Sequence, residues 1–198
     1  VTFQINKGEV FGLTGESGCG KSTVAYAIMR LIKPPGRIMG GRIIVDGIDV
    51  LNLKEEELRS FQWKKVAMVF QNAMNCLNPV FRIGDQIAEA IMIHENISER
   101  EALARAKYLL SLVGIHELRV NDYLHQLSEG MRQRVNIAMA LALNPIFLIV
   151  DEPTTVLDVV VARQILELAR NRSSKGLSFS PTMPFLESRN VKRRPPRL

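Results

Sequence analysis

The stretch that most constrains this chain is Gly15–Thr23, GESGCGKST. It follows the apolar run KGEVFGLTG, which reads as a strand entering a glycine turn. It leads into STVAYAIMRLI, whose apolar residues fall at helical spacing and stop before Lys33-Pro34-Pro35-Gly36. Gly15, Gly20, Lys21 and Ser22 fit the pattern GxxxxGK[ST]. A triphosphate carries several negative charges and needs many donors close by. Glycines let the backbone curl so that successive N–H groups point inward, with no Cβ in the way. The expected cradle is therefore Gly15, Glu16, Ser17, Gly18, Cys19, Gly20, Lys21, Ser22 and Thr23. A helix starting near Lys21 adds its positive dipole end. Lys21 reaches the β/γ-phosphates, and the Ser22 hydroxyl can ligate Mg²⁺.

The rest of the chain alternates strand and helix signals. GGRIIVDGIDV predicts a short hairpin through an Asp-Gly turn. KEEELRSF is a charged helix, and KVAMVFQ is a strand of the buried type. GDQIAEAIMI is helical. So is SEREALARAKYLLSLVGI, where Ser98 and Glu101 fit a capping box. LSEGMRQRVNIAMALAL is a further helix, stopped by Asn144-Pro145. IFLIVDEP is an apolar strand, and VVVARQILELARN is a last helix. Buried strands alternating with helices define an α/β class with a mainly parallel sheet. The consecutive helices from about Ile83 to Tyr123 predict a helical subdomain inserted between two strands.

Asp151 closes the IFLIVDEP strand, where a parallel sheet presents its ligands. A carboxylate there can hold Mg²⁺ directly or through water. Glu152 follows at once, so its side chain points the other way and can polarise a water in line with a γ-phosphate. An apolar run ending in two acids is weak evidence alone. It gains force from the glycine loop upstream.

GESGCGKST, Gln71 after VAMVF, LSEGM, IFLIVDEP and TTVLD occur in the order and rough spacing of an ABC transporter ATPase subunit, which this chain resembles over about residues 1–178. QNAMNCLNPVFRIGDQI is similar to the subgroup that energises dipeptide and oligopeptide uptake, with nickel importers as relatives. The resemblance implies a P-loop NTPase fold with an antiparallel β-subdomain and a helical subdomain at about 72–125. It implies ATP and Mg²⁺ as cofactors and ATP hydrolysis coupled to transport. Gln71 would contact Mg²⁺ and the attacking water. Ser128 and Gly130 would be signature residues at a helix N-terminus, binding the γ-phosphate of ATP held by a second copy. Asp151 would be the metal carboxylate, Glu152 the general base, and Asp158 an aspartate at the dimer seam. Implied partners are a second nucleotide-binding subunit, integral-membrane permease subunits and, indirectly, an extracytoplasmic solute-binding protein. The implied location is the cytoplasmic face of the membrane.

Departures from that pattern are Glu129 in place of a glycine, Leu124 in place of a proline, and the segment after Ser178. There a buried strand and a histidine near position 184 are expected, but FSPTMPFLESRNVKRRPPRL carries Pro181 and Pro184, which do not suit a central strand. The N-terminal strand and adenine-stacking aromatic of the family are also absent from the sequence as it begins. These departures predict a marginally stable chain that hydrolyses ATP slowly. The alternative they favour is a fragment that binds ATP or a permease without efficient turnover. His94, His116 and His125 precede the Asp151 strand and read as surface or subdomain residues.

The formal charge of +6 invites a nucleic-acid reading, as for a soluble ABC ATPase acting on nucleic acid. Its distribution argues against one. Residues 170–198 carry eight Lys/Arg against one acidic residue, leaving 18 basic and 19 acidic residues in 1–169. The basicity belongs to the tail and not to the body, and residues 179–198 read as a basic, Pro-rich, disordered tail. Cys19 and Cys76 form no CxxC pair, which argues against a disulfide scaffold or zinc site. The longest apolar stretch is broken at Asn144-Pro145 and is too short to span a bilayer.

Overall fold

A computed structural model describes residues 1–7, 9, 11–70 and 77–151. The glycine loop opens α1 (Lys21–Ile28), and a hairpin of β1 (Ile44–Val45) and β2 (Ile48–Asp49) follows. Next come α2 (Glu55–Lys64) and β3 (Val66–Val69). Two long helices, α3 (Ile83–His94) and α4 (Glu99–Leu112), lead through two 3-10 turns to α5 (Glu129–Ala140) and β4 (Phe147–Val150). Gln71, Glu152 and Asp158, the last predicted helix and the tail lie outside the described residues.

The centre is a parallel pair. Val66 aligns with Phe147, Ala67 with Leu148, Met68 with Ile149 and Val69 with Val150. Strand side chains alternate between faces, so this register sorts the pair into two cores. Val66, Met68, Phe147 and Ile149 join Ala25, Ile28 and Met29 of the first helical segment and Leu58 and Phe61 of α2. Ala67 and Leu148 face the other way, into a larger cluster with α3, α4 and α5. Continuous burial on both faces explains why VAMV and FLIV read as unbroken apolar runs rather than alternating ones. No strand intervenes between β3 and β4 among the described residues.

Local chemistry sets the element ends. Asp46 (φ 51) and Gly47 (φ 77) form the two left-handed turn positions joining β1 to β2, the geometry an Asp-Gly hairpin requires. The Asp46 carboxylate accepts from Lys65 Nζ at 2.8 Å, and this bond holds its pKa below the usual aspartate range. At the start of α4, the Glu101 amide donates to Ser98 Oγ at 3.3 Å, and the Ser98 amide donates back to Glu101 Oε2 at 2.9 Å. The Ser98 hydroxyl also donates to that carboxylate at 2.6 Å. Hydrogen bonds to the charged form lower the Glu101 pKa.

Two expectations are corrected. Helix α5 ends at Ala140 rather than running to Asn144-Pro145. Pro145 disfavours helical geometry at the residue before it, and Asn144 sits at φ 52, so the last turn loosens ahead of the proline. The strand expected over Lys7–Gly15 is not formed by the described residues there. A strand needs a ladder, whereas the Glu9 amide is used locally on Asn6 O at 3.0 Å. The Glu9 carboxylate in turn accepts from the Asn6 backbone amide at 2.6 Å.

Helix α2 breaks after Phe61. Gln62 is extended (φ −60, ψ 139) and Trp63 is left-handed (φ 70, ψ −44), a conformation that costs a bulky residue on the order of 1–3 kcal/mol. Gln62 Nε2 donates to Met29 O at 2.8 Å, tying this break to the end of the first helix.

Ile149 is 1% exposed in the α1/α2 core. Ile149→Ala is expected to destabilise the chain by about 2–5 kcal/mol, read from a urea midpoint. Ser98→Ala removes the hydroxyl bond that most favours the Glu101 carboxylate and leaves the bond from the backbone amide of residue 98. The Glu101 pKa, followed by carboxyl NMR, should rise towards the ordinary glutamate value. A depressed folded pKa contributes stability that is present above the unfolded pKa and lost as pH falls through the folded one. The unmodified chain should therefore lose this contribution only below the usual glutamate range, and the variant should keep at neutral pH only the part that the backbone amide supplies.

Candidate functional site

The loop from Gly15 to Gly20 is shaped by two left-handed glycines. Gly18 has φ 78, and Gly20, the N-cap of α1, has φ 96 and ψ 16. A Cβ built at either would meet nothing within 4 Å. The requirement for glycine there is torsional, and the space beside the backbone is open to a ligand. Gly15 differs, because a Cβ there would stand 2.5 Å from Cys19 Sγ.

Lys21 begins α1 and turns back across the loop. Its Nζ donates to Gly15 O at 2.8 Å and Glu16 O at 2.9 Å, and lies 3.8 Å from Cys19 Sγ. Two carbonyls thus fix the ammonium over the same turn whose amides the glycines free. Ser22, one residue on, donates from Oγ to Asp151 Oδ1 at 2.9 Å across a separation of 129 residues. Asp151 is held there by the sheet, since its amide donates to Val69 O at 3.0 Å and extends the β3–β4 ladder. A hydroxyl and a carboxylate oxygen at this distance are hard donors of the kind Mg²⁺ takes. Such a cation keeps several waters and is completed by substrate phosphates. Among the described residues no group of three or more His, Cys, Asp or Glu could hold a metal by itself. The donor set fits Mg²⁺ shared with a phosphate.

Ser128 and Gly130 stand at the start of α5, and their hydrogen bonds remain in that region. Ser128 Oγ accepts from the Met131 amide at 3.4 Å, and Gly130 O accepts from Arg134 Nε at 3.3 Å. Glu129 is exposed in the first helical turn, where a carboxylate complements the helix dipole. Sequence reasoning assigned no role to Arg132 and Arg134. Arg132 Nε donates to Leu124 O and Leu127 O, both at 3.0 Å. Arg134 Nη1 donates to Val113 O at 3.4 Å and Gly114 O at 3.2 Å. The available signal was two cations two residues apart in a helix with a largely buried face.

The histidines lie elsewhere. His94 closes α3, and burial, with the nearby Lys64 charge, pushes its pKa down. His116 Nδ1 accepts from the Leu118 amide at 3.3 Å, and His125 stacks on Tyr123 at 5.7 Å.

A glycine loop opening a helix, with a carboxylate from the end of a parallel strand against the hydroxyl after its lysine, defines a P-loop NTPase fold. Residues 1–155 match the family model described as ABC transporter, and the chain belongs to that family. It is 49% identical over 178 residues to the oligopeptide transport ATP-binding protein OppD of Bacillus subtilis, covering 88% of this chain and 50% of that protein. It is 48% identical over 171 residues to the probable peptide ABC transporter ATP-binding protein y4tR of Sinorhizobium fredii, covering 85% and 51%. The chain therefore spans about half the length of the curated relatives it matches. Among solved structures, the ATP-binding cassette MJ0796, a dimer in a post-hydrolysis state bound to ADP and Pi, aligns with TM-score 0.75 and 29% identity. That match covers 95% of this chain and 78% of that one. CbiO1 from Clostridium perfringens, part of the transporter complex cbiONQ, aligns with TM-score 0.70 and 26% identity, covering 96% and 70%. No helix among the described residues is long and apolar enough to cross a membrane.

Gly20→Ala is expected to cost about 1–2 kcal/mol, because an L-residue must take a left-handed conformation although the methyl meets no atom. A denaturation midpoint checks this.

Proposed function

We propose that this chain binds ATP with Mg²⁺ in the Gly15–Thr23 loop and hydrolyses it to energise an ABC importer for peptides or related small solutes. The single observation that carries the reading is the 2.9 Å bond from Ser22 to Asp151, which joins loop and strand end at one point. The loop amides and Lys21 would hold the β- and γ-phosphates, and the dipole of α1 would favour their charge. Ser22 and Asp151, with Gln71, would hold the metal. When bound, Mg²⁺ neutralises charge developing on the phosphate oxygens. Glu152 would accept a proton from the attacking water as its oxygen bonds to the γ-phosphorus and ADP leaves. Ser128 and Gly130, with Asp158, would complete the site of a second copy, the head-to-tail arrangement of two nucleotide domains. The helices of about 72–125 would dock on the permease at the cytoplasmic face of the membrane, and the solute-binding protein would act through that permease. No nucleic-acid partner is proposed, since residues 1–169 carry 18 basic and 19 acidic residues.

A second reading, binding without efficient turnover, rests on Pro181 and Pro184 in a segment with no histidine after Asp151. The test pairs a fluorescent ATP analogue with a phosphate-release assay. Lys21→Ala is expected to weaken binding at least tenfold, the loss of about one charge-assisted contact. Unchanged affinity in Lys21→Ala would overturn both readings. Binding that depends on Lys21, with turnover well below about 1 s⁻¹, selects the second reading over the first.

A further inference from the structure

We propose that Arg134 is a positioning residue, a strut that passes displacement of α4 to the turn carrying Ser128 and Gly130. Its exchange test stands alone, while its functional consequence rests on the reading that this turn meets ATP bound by a second copy.

Arg134 spans two elements. Its Nε bonds Gly130 O in the first turn of α5 at 3.3 Å, and its Nη1 bonds Val113 O at 3.4 Å and Gly114 O at 3.2 Å. Val113 is the C-cap of α4, and Gly114 (φ 71) turns the chain out of that helix. These carbonyls lie at the negative end of the α4 dipole, where a cation is favoured. The guanidinium is planar and always charged, and its fork bonds in two directions at once. Gly114 matters for the approach, since a Cβ there would stand 3.3 Å from Arg134 Nη1.

Arg132 braces the opposite side. Two residues along a helix is about 200° of rotation, so Arg132 reaches back to the chain ahead of Ser128 while Arg134 reaches α4. The first turn of α5 is held between Leu124 and Leu127 on one side and the end of α4 on the other. Helix α4 packs with α3 in one cluster, so a partner pushing on those helices displaces Val113 and Gly114. Through Arg134 it also displaces Gly130. Arg134 itself touches neither the glycine loop nor Asp151 in its hydrogen bonds.

Hydrogen exchange on the full chain decides the strut. Arg134→Met should speed exchange at the Met131 and Arg132 amides, which bond Ser128, about tenfold, the loss of hydrogen bonds to a charged donor. Arg134→Lys should fall between, because an ammonium lacks the fork. Gly114→Ala should act in the same direction, and amides of β3 and β4 should be unmoved. Unchanged exchange at Met131 and Arg132, or acceleration of every amide together, overturns the strut. The second arm measures fluorescent-ATP affinity and ATP-driven association. Arg134→Met should keep the affinity within about twofold, as expected for distant sites, and weaken association. Full association in the variant overturns the coupling. If the unmodified chain binds no ATP and does not associate, the ATP reading fails, and the exchange result still decides the strut.

Discussion

The in-register pairing of Val66–Val69 with Phe147–Val150 is the contact on which the rest depends. It joins segments that the chain separates by two long helices and α5. It also divides the apolar residues into two cores by parity alone: Met68 and Ile149 go to α1 and α2, and Ala67 and Leu148 to α3, α4 and α5. A slip of one residue would exchange the two sets and turn small residues towards large holes. The same register places Asp151 one step past the strand end, with its amide still on the ladder. The reach to Ser22 follows from pairing fixed four residues earlier.

The loop depends on that pairing in turn. Lys21 and Ser22 are neighbours on the first turn of α1, yet their partners differ in kind. Lys21 bonds groups of its own loop, the Gly15 and Glu16 carbonyls and the Cys19 sulfur, whereas Ser22 bonds a carboxylate brought in by the sheet. The loop's shape is thus local, set by two glycines in left-handed conformations, and its position is tertiary. Nucleotide chemistry needs both, because a cradle without a fixed carboxylate binds phosphate but does not orient the metal.

Features with a short sequence range were readable in advance. Asp46-Gly47, the Ser98/Glu101 box, and the apolar runs of β3 and β4 each carry their cause within a few residues. The ends of α5 and the state of Lys7–Gly15 were not readable in this way. The first depends on how far a proline loosens the turn before it. The second depends on a ladder that Asn6 and Glu9 forgo by bonding each other. The roles of Arg132 and Arg134 escaped because their acceptors are backbone carbonyls, which leave no mark on a sequence. Within the site, the glycine spacing announced a turn opening α1, and the apolar run announced a strand ending at Asp151. That Ser22 and Asp151 bond directly depended on the fold.

Trp63 sits where α2 gives way to β3, at a left-handed position beside Gln62, which is anchored to the end of the first helix. It is the only tryptophan in the chain. The molecule therefore carries a single indole, which can be excited selectively beyond the tyrosine band, at the joint between the glycine-loop helix and the central sheet. Its emission reports on that joint alone, with no second indole to obscure the signal.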